Sequence, residues 1–238
     1  QTLWDNNQYR LPFTTSTVNR IRYHQLSLSY ALLAQGIPFI HMGSELLRSK
    51  SFLRDSYDYG DWFNRIDFSY QTNNYHVGLP PKDKDEQNWS IISTVRQNNQ
   101  GRDIVKAGDI LLSRNVFLDF VKIRMSSPLF RLSSAEEINQ QVRFLNTGDK
   151  QDVGLIAMQI SDNNVKSLDS RYQEIIVFFN ASNAPKSFTF DGAEAFTLHP
   201  IQATGSDALL KQAYTEDDRF HIPKISTVVF VKKTLTGL

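Results

Sequence analysis

Between positions 45 and 67 five carboxylates, Glu45, Asp55, Asp58, Asp61 and Asp67, alternate with three guanidinium groups, Arg48, Arg54 and Arg65. Tyr57, Tyr59 and Trp62 are interleaved among them. Ionised carboxylates accept hydrogen bonds from hydroxyl groups and arginines donate to oxygen, so the set suits a polar, hydroxyl-rich ligand. The aromatic rings add flat apolar faces against which a sugar ring can stack. Types and spacing are together those of a carbohydrate site. The same charges also read as a solvated loop closed by internal ion pairs, and both readings stand at this level.

Other chemistries find less support. The five histidines, His24, His41, His76, His199 and His221, are scattered without ligand spacing, and no cysteine occurs. Neither a metal site nor thiol chemistry is therefore expected, and no disulfide framework exists. Residues 101–108 carry no phosphate-binding fingerprint. Twenty-six basic against 25 acidic residues leave a formal net charge of +1, too little to draw the chain onto nucleic acid. No apolar run reaches the roughly 18 to 20 residues of a membrane span, so no membrane-spanning segment is expected.

The elements that position this segment are legible on both sides of it. Residues 14–17 offer caps for a helix whose apolar positions Ile21, Leu28 and Leu32 share one side, and Gly36 supplies its stop. The next residues, 37–42, are short, apolar and β-capable, and are expected to form a buried strand of a parallel sheet covered by helices. From Gly43 about seventy polar and aromatic residues read as one long ordered loop. A second helix is expected over 109–126, with Val116, Phe117, Phe120, Val121 and Ile123 as its apolar face, ended by Pro128. Beyond it, runs at 141–145, 154–160, 174–180, 186–190, 196–200 and 227–232 are separated by Gly, Asn, Asp and Pro. That spacing is the pattern of an antiparallel sandwich.

Longer stretches carry a family resemblance. Gln35-Gly-Ile-Pro-Phe-Ile-His-Met-Gly-Ser-Glu45 resembles the eighth barrel strand of the α-amylase superfamily, glycoside hydrolase family 13. The continuation from Leu46 to Asp67, Thr72-Asn-Asn-Tyr-His-Val-Gly-Leu-Pro80, Ser126-Ser-Pro-Leu-Phe-Arg-Leu132 and Gln141-Val-Arg-Phe-Leu-Asn-Thr-Gly148 are similar to pullulanases and plant limit dextrinases. The resemblance implies an α/β plus all-β chain. Residues 1–128 would hold the last elements of a TIM (β/α)8 barrel with a long substrate-side loop, and residues 129–238 a C-terminal antiparallel β-sandwich.

It also implies hydrolysis of α-1,6-glucosidic linkages in pullulan, amylopectin and limit dextrins by a retaining mechanism. That mechanism needs two carboxylates about 5 to 5.5 Å apart. In the family the last of three catalytic carboxylates immediately precedes Gln-Thr-Leu-Trp-Asp, which here is residues 1–5. No catalytic residue is therefore expected in this chain, which alone should be inactive and should pair with the remaining N-terminal part of the enzyme. The resemblance places Asp55, Tyr57 and Arg54 against the α-glucan substrate. It makes Glu45 a buried carboxylate held by an arginine or by backbone donors, with Asn64 supporting the same loop. Trp62 and Phe63 are expected to pack inward. No cofactor is expected; full-length members often bind structural calcium, with no ligand set assignable here. A secreted or cell-surface location in a bacterium is the family's implication. The alternative is a non-catalytic glucan-binding or structural module.

Overall fold

The computed structural model describes residues 1–149, 151–162 and 167–234. Its elements are helices and antiparallel strands, divided between two compact units: residues 1–28 with 40–115, and residues 29–39 with 116–238.

In the first unit, α1 (Leu3–Arg10) begins at Thr2, whose hydroxyl accepts from the Asp5 amide, and it buries Trp4, Asp5 and Gln8. Helix α2 (Thr17–Leu33) opens where Ser16 Oγ accepts from the Asn19 amide. Ile21 and Leu28, two turns apart, are buried on one side of it, and Leu26 is buried on another. Trp4, Ile21, Leu46, Leu47, Phe52, Tyr75, Ile92, Val95 and Ile110 close one apolar cluster. Arg20 is fully buried at its edge, a position that strands a charge unless its donors are met. They are: it donates to the carbonyls of Thr15, Pro12 and Phe13 and to the side chains of Gln8 and Asn99.

The polar stretch after Gly43 is not loop throughout. It holds a short helix α3 (Lys82–Asp85) and a regular helix α4 (Trp89–Asn99) that buries Ile92, Val95 and Asn99. Gln97 and Asn98 face solvent, and only that narrow buried stripe betrays the helix. Helix α5 (Ala107–Ser126) runs on from the first unit into the second.

The expected strand over 37–42 is not formed. Those residues are irregular, with Ile37 84%, Phe39 90% and Met42 66% exposed. A strand exists only as part of a hydrogen-bonded ladder, and no strand among the described residues pairs with this one. The glycine stop before it is present, with Gly36 at φ +86°.

The second unit carries two antiparallel sheets. Strands β1 (Val142–Phe144), β2 (Leu155–Ser161), β3 (Tyr172–Asn180), β5 (Thr197–Leu198) and β8 (Ser226–Lys233) form a sheet of order β1-β2-β3-β8-β5. Strands β4 (Lys186–Thr189), β6 (Tyr214–Glu216) and β7 (Arg219–Ile222) form a second of order β4-β7-β6. Phe178 and Phe230 from the first sheet meet Phe220 and Ile222 from the second in one core. On the opposite face of the larger sheet, Tyr30 stacks on Phe179 at 4.6 Å and the Ser29 hydroxyl lies 2.6 Å from that of Thr227. Cover on both faces explains why β3 and β8 are buried almost continuously rather than alternately.

Sequence reading misses three elements here. Helix α6 (Ala135–Gln141) is set by a capping box between Ser134 and Glu137, and of the first expected strand run it takes only Gln141. The short helix α7 (Pro200–Thr204) starts at a proline. The β6–β7 hairpin turns on Asp217 and Asp218, both left-handed (φ 49° and 53°), a primed turn made without the usual glycine.

Candidate functional site

The charged segment is built from the buried Asp5 outward. Asp5 is wholly inaccessible, and its carboxylate accepts from the Ser49 hydroxyl and, at 2.9 Å, from the Lys50 amide. Burial pushes its pKa up, against the pull of these donors. Ser49 Oγ in turn accepts from the Ser51 amide (2.8 Å), and the Ser49 amide donates to the Asn73 carbonyl at 2.8 Å. Ser51 and Phe52 both adopt left-handed backbone, φ 50° and 69°. Such strain persists only where packing over-determines it. Phe52 supplies that packing, buried between Tyr9 and Tyr75 at 5.3 Å each.

From this anchor Lys50 reaches outward. Its ammonium donates to Ser56 Oγ (2.7 Å), and Ser56 donates to Asn64 Oδ1 (3.1 Å). Arg48, buried, donates to the Asn64 carbonyl at 2.8 Å and to the Met42 carbonyl at 2.9 Å. Asn64 Nδ2 closes back on the Gly60 carbonyl. Residues 48 to 64 are thus tied across the loop, with Asn64 as the knot. Further on, Asp67 organises its own turn by accepting from the Ser69 hydroxyl and from the amides of Ser69, Gln71 and Thr72. These donors hold its pKa down at about 2.

At the exposed edge stand Asp55 and Tyr57. Asp55 Oδ1 accepts from the Tyr57 amide at 3.0 Å, which lowers its pKa, and Lys84 Nζ lies 3.5 Å from Oδ2. The Tyr57 ring is 82% exposed. The same Lys84 ammonium donates to the Tyr57 carbonyl (3.2 Å) and sits 4.6 Å from the Tyr59 ring centroid, while Tyr59 donates its hydroxyl to Asp83. Lys84 is the residue that sequence reasoning missed: in the acidic-basic run from Lys82 to Glu86 nothing separates it from its neighbours. Asp55 and Tyr57 therefore lie side by side, presenting carboxylate oxygens and an open aromatic ring.

Arg54 makes no ion pair with Asp55 among the described residues and lines a cleft of ≈ 570 Å³ with Tyr9, Phe13 and Ile91. Two expectations change. Glu45 is half-buried rather than buried and is met by no arginine among the described residues, Arg48 being committed to Asn64 and Met42. Phe63 packs inward, but Trp62 is exposed. Among the described residues no group of histidines, cysteines and carboxylates is arranged to hold a metal ion, and no helix is long and apolar enough to cross a membrane.

Comparison with known proteins places these residues in a larger frame. The family described as "Alpha-1,6-glucosidases, pullulanase-type, C-terminal" matches residues 70–233. Pullulanase 1, chloroplastic, of Arabidopsis thaliana is 41% identical over 243 residues, covering 98% of this chain and 25% of that protein. The pullulanase of Klebsiella pneumoniae is 38% identical over 211 residues, covering 87% of this chain and 19% of that protein. Among solved structures, PulA from Klebsiella oxytoca superposes over the whole chain with a TM-score of 0.92 at 35% identity, over 23% of its own length. The K. pneumoniae pullulanase complexed with maltotriose does so with 0.92 at 36%, also over 23% of its length. This chain spans about a quarter or less of these relatives. It belongs to the pullulanase-type α-1,6-glucosidases and corresponds to their C-terminal portion.

Proposed function

We propose that this chain serves an enzyme hydrolysing α-1,6-glucosidic linkages in pullulan, amylopectin and limit dextrins with retention of configuration. In this reading residues 1–128 complete a (β/α)8 catalytic barrel and residues 129–238 form its β-sandwich domain. The nucleophile, the acid/base and the stabilising aspartate come from parts of the enzyme outside this chain, since none of its carboxylates matches their motifs. The chain alone is then inactive and contributes one wall of the sugar site.

The observation that carries the reading is the pairing of Asp55 and Tyr57 on a loop tied through Lys50, Ser56 and Asn64 to the buried Asp5. Asp55 accepts hydrogens from sugar hydroxyls in charge-assisted bonds, and Tyr57 offers a face for the ring. Arg54 donates to sugar oxygens from the adjoining cleft, and Glu45 with Asn64 stands behind the contact residues. A loop already fixed loses little conformational entropy on binding. The maltotriose bound to the K. pneumoniae relative supports an α-glucan as the ligand.

The test is kinetic. In the full-length enzyme, Asp55→Ala should raise KM for pullulan about tenfold with kcat within about threefold, the pattern of a lost binding contact. An unchanged KM would remove Asp55 from the site. Reducing ends released from pullulan by the 238-residue chain alone would overturn the claim that the catalytic carboxylates lie elsewhere. A full-length protein that binds pullulan yet releases none would favour the glucan-binding module.

A further inference from the structure

The β6–β7 hairpin carries a second aromatic feature, in the unit that does not hold the charged loop. Tyr214 and His221 are register partners across the two strands, and their rings stack at 4.3 Å with 7° between planes. Tyr214 nevertheless remains 50% exposed. It lines a cleft of ≈ 450 Å³ together with Pro185, Ser187, Gln212, His221 and Lys224. That volume lies within the usual range for small-ligand sites, about 300 to 1,000 Å³.

The rims of the cleft are fixed before any ligand arrives. Asn180, fully buried, donates through Nδ2 to the carbonyls of both Ala184 (3.0 Å) and Pro223 (2.9 Å), the residues that precede and form the two proline rims. The Ile225 amide ties the same two segments by donating to the Ser182 carbonyl at 3.1 Å. Ile225 adopts φ +43°, a costly conformation for a β-branched residue, held here by its burial.

The polar groups lining the cleft are of two kinds. Lys186 is neutralised by Asp152 at 2.6 Å, and Ser187 Oγ lies 3.3 Å from His221 Nδ1. The Gln212 amide, the Tyr214 hydroxyl and the Lys224 ammonium have no side-chain hydrogen bond or ion pair among the described residues. A half-open aromatic ring, an uncommitted amide, a hydroxyl and a single free cation suit a neutral polyhydroxylated ring better than an anion, which would call for several converging cations.

We infer that this cleft is an α-glucan-binding site, distinct from the loop around Asp55, in which Tyr214 stacks on a glucose unit while Gln212 and Lys224 hydrogen-bond its hydroxyls. The choice of α-glucan rests on the reading proposed above for the enzyme. Such a site would hold a polymer chain on the C-terminal unit and raise its local concentration.

The experiment is amide chemical-shift mapping of the 238-residue chain titrated with maltotriose, with cellotriose as the β-linked control. Maltotriose should shift Ser187, Gln212, Tyr214 and His221. Tyr214→Ala should weaken that response about tenfold, as should Lys224→Ala, which leaves the hairpin stack untouched. Asp55→Ala should leave the cleft response unchanged and remove any shifts at residues 54–60. Shifts confined to residues 54–60, no shifts at all, or an equal response to cellotriose would overturn the inference. Shifts confined to the cleft would uphold it while defeating the assignment of Asp55.

Discussion

A single ammonium holds the exposed edge of the charged loop: Lys84 Nζ lies 3.5 Å from the Asp55 carboxylate and 3.2 Å from the Tyr57 carbonyl to which it donates. The carboxylate has a second, nearer partner in the Tyr57 amide. Lys84 therefore acts less as the source of the Asp55 charge than as a strut between α3 and the turn at residues 55–59. Lys84→Ala should leave the melting temperature almost unchanged, since exposed ion pairs contribute little. Hydrogen exchange at residues 55–59 should accelerate, because the turn loses the Lys84 strut and keeps only the links of Ser56 to Lys50 and Asn64 and of Tyr59 to Asp83. In the full-length enzyme KM for pullulan should rise about three- to tenfold with kcat nearly constant. Unaltered exchange at 55–59 would show that the turn holds itself.

Asp5 sits at the other end of the same network, and its pKa is raised by burial. A carboxyl that ionises less readily in the folded state adds stability below its unfolded pKa. That contribution is lost as pH rises through the folded value. Asp5→Asn should therefore gain on the wild type as pH rises from the ordinary carboxylate range toward neutrality. The amide can still accept from the Lys50 amide and donate to Ser49 Oγ. Asp5→Ala leaves both donors buried and unmet and should cost about 1–3 kcal/mol at neutral pH. Urea unfolding of the three proteins across pH 4–8 checks this. A difference between wild type and Asp5→Asn that does not move with pH would mean the carboxylate is not strained by burial.

How far all this is legible without coordinates differs by element. The helix around Ile21, the glycine stop at Gly36 and the apolar run that becomes β2 are local patterns and can be read directly. The apolar residues 37–42 could not be read correctly, because whether they form a strand depends on a neighbour rather than on their own propensity. Helix α4 is hidden by a surface of Gln, Asn and Ser around two buried aliphatics. Within the site, Asp55 and Tyr57 stand out through a family pattern. Their partner Lys84 lies 29 positions downstream of Asp55, and no spacing rule links a loop carboxylate to a lysine in a separate short helix. The anchoring role of Asp5 is likewise non-local, at 44 and 45 positions from its partners.

His24 sets the acid limit of the first unit. It is completely buried, its Nε2 lies 2.6 Å from the Ser44 carbonyl, and burial lowers its pKa to about 4. A base whose folded pKa is depressed stabilises the fold above its unfolded value of 6.5, and that stability is lost as pH falls toward 4. The loss from this one ring is on the order of 3 kcal/mol. His199, also lowered to about 4, loses stability over the same window in the second unit. His24→Gln, which cannot take up a proton, should flatten the fall in stability between pH 6.5 and 4, even if it is less stable at neutral pH. A fall as steep as that of the wild type would place the acid sensitivity elsewhere.

Gly43 couples the backbone to the site, and a substitution there separates the two readings of the charged segment. It adopts φ +85°, and a Cβ at this position would stand 2.9 Å from Arg48 Cδ and 3.3 Å from Ile66 Cδ1. Gly43→Ala therefore carries a backbone penalty of roughly 1–2 kcal/mol. It must also push Arg48 away from the Asn64 carbonyl and Oδ1. If the knot at Asn64 holds Asp55 and Tyr57 in place, the variant should raise KM for pullulan in the full-length enzyme beyond anything its melting temperature explains. A solvated loop of independent ion pairs would instead absorb the shift. The melting temperature would then fall while KM stayed put, and the positioning role of Arg48 and Asn64 would be lost with it.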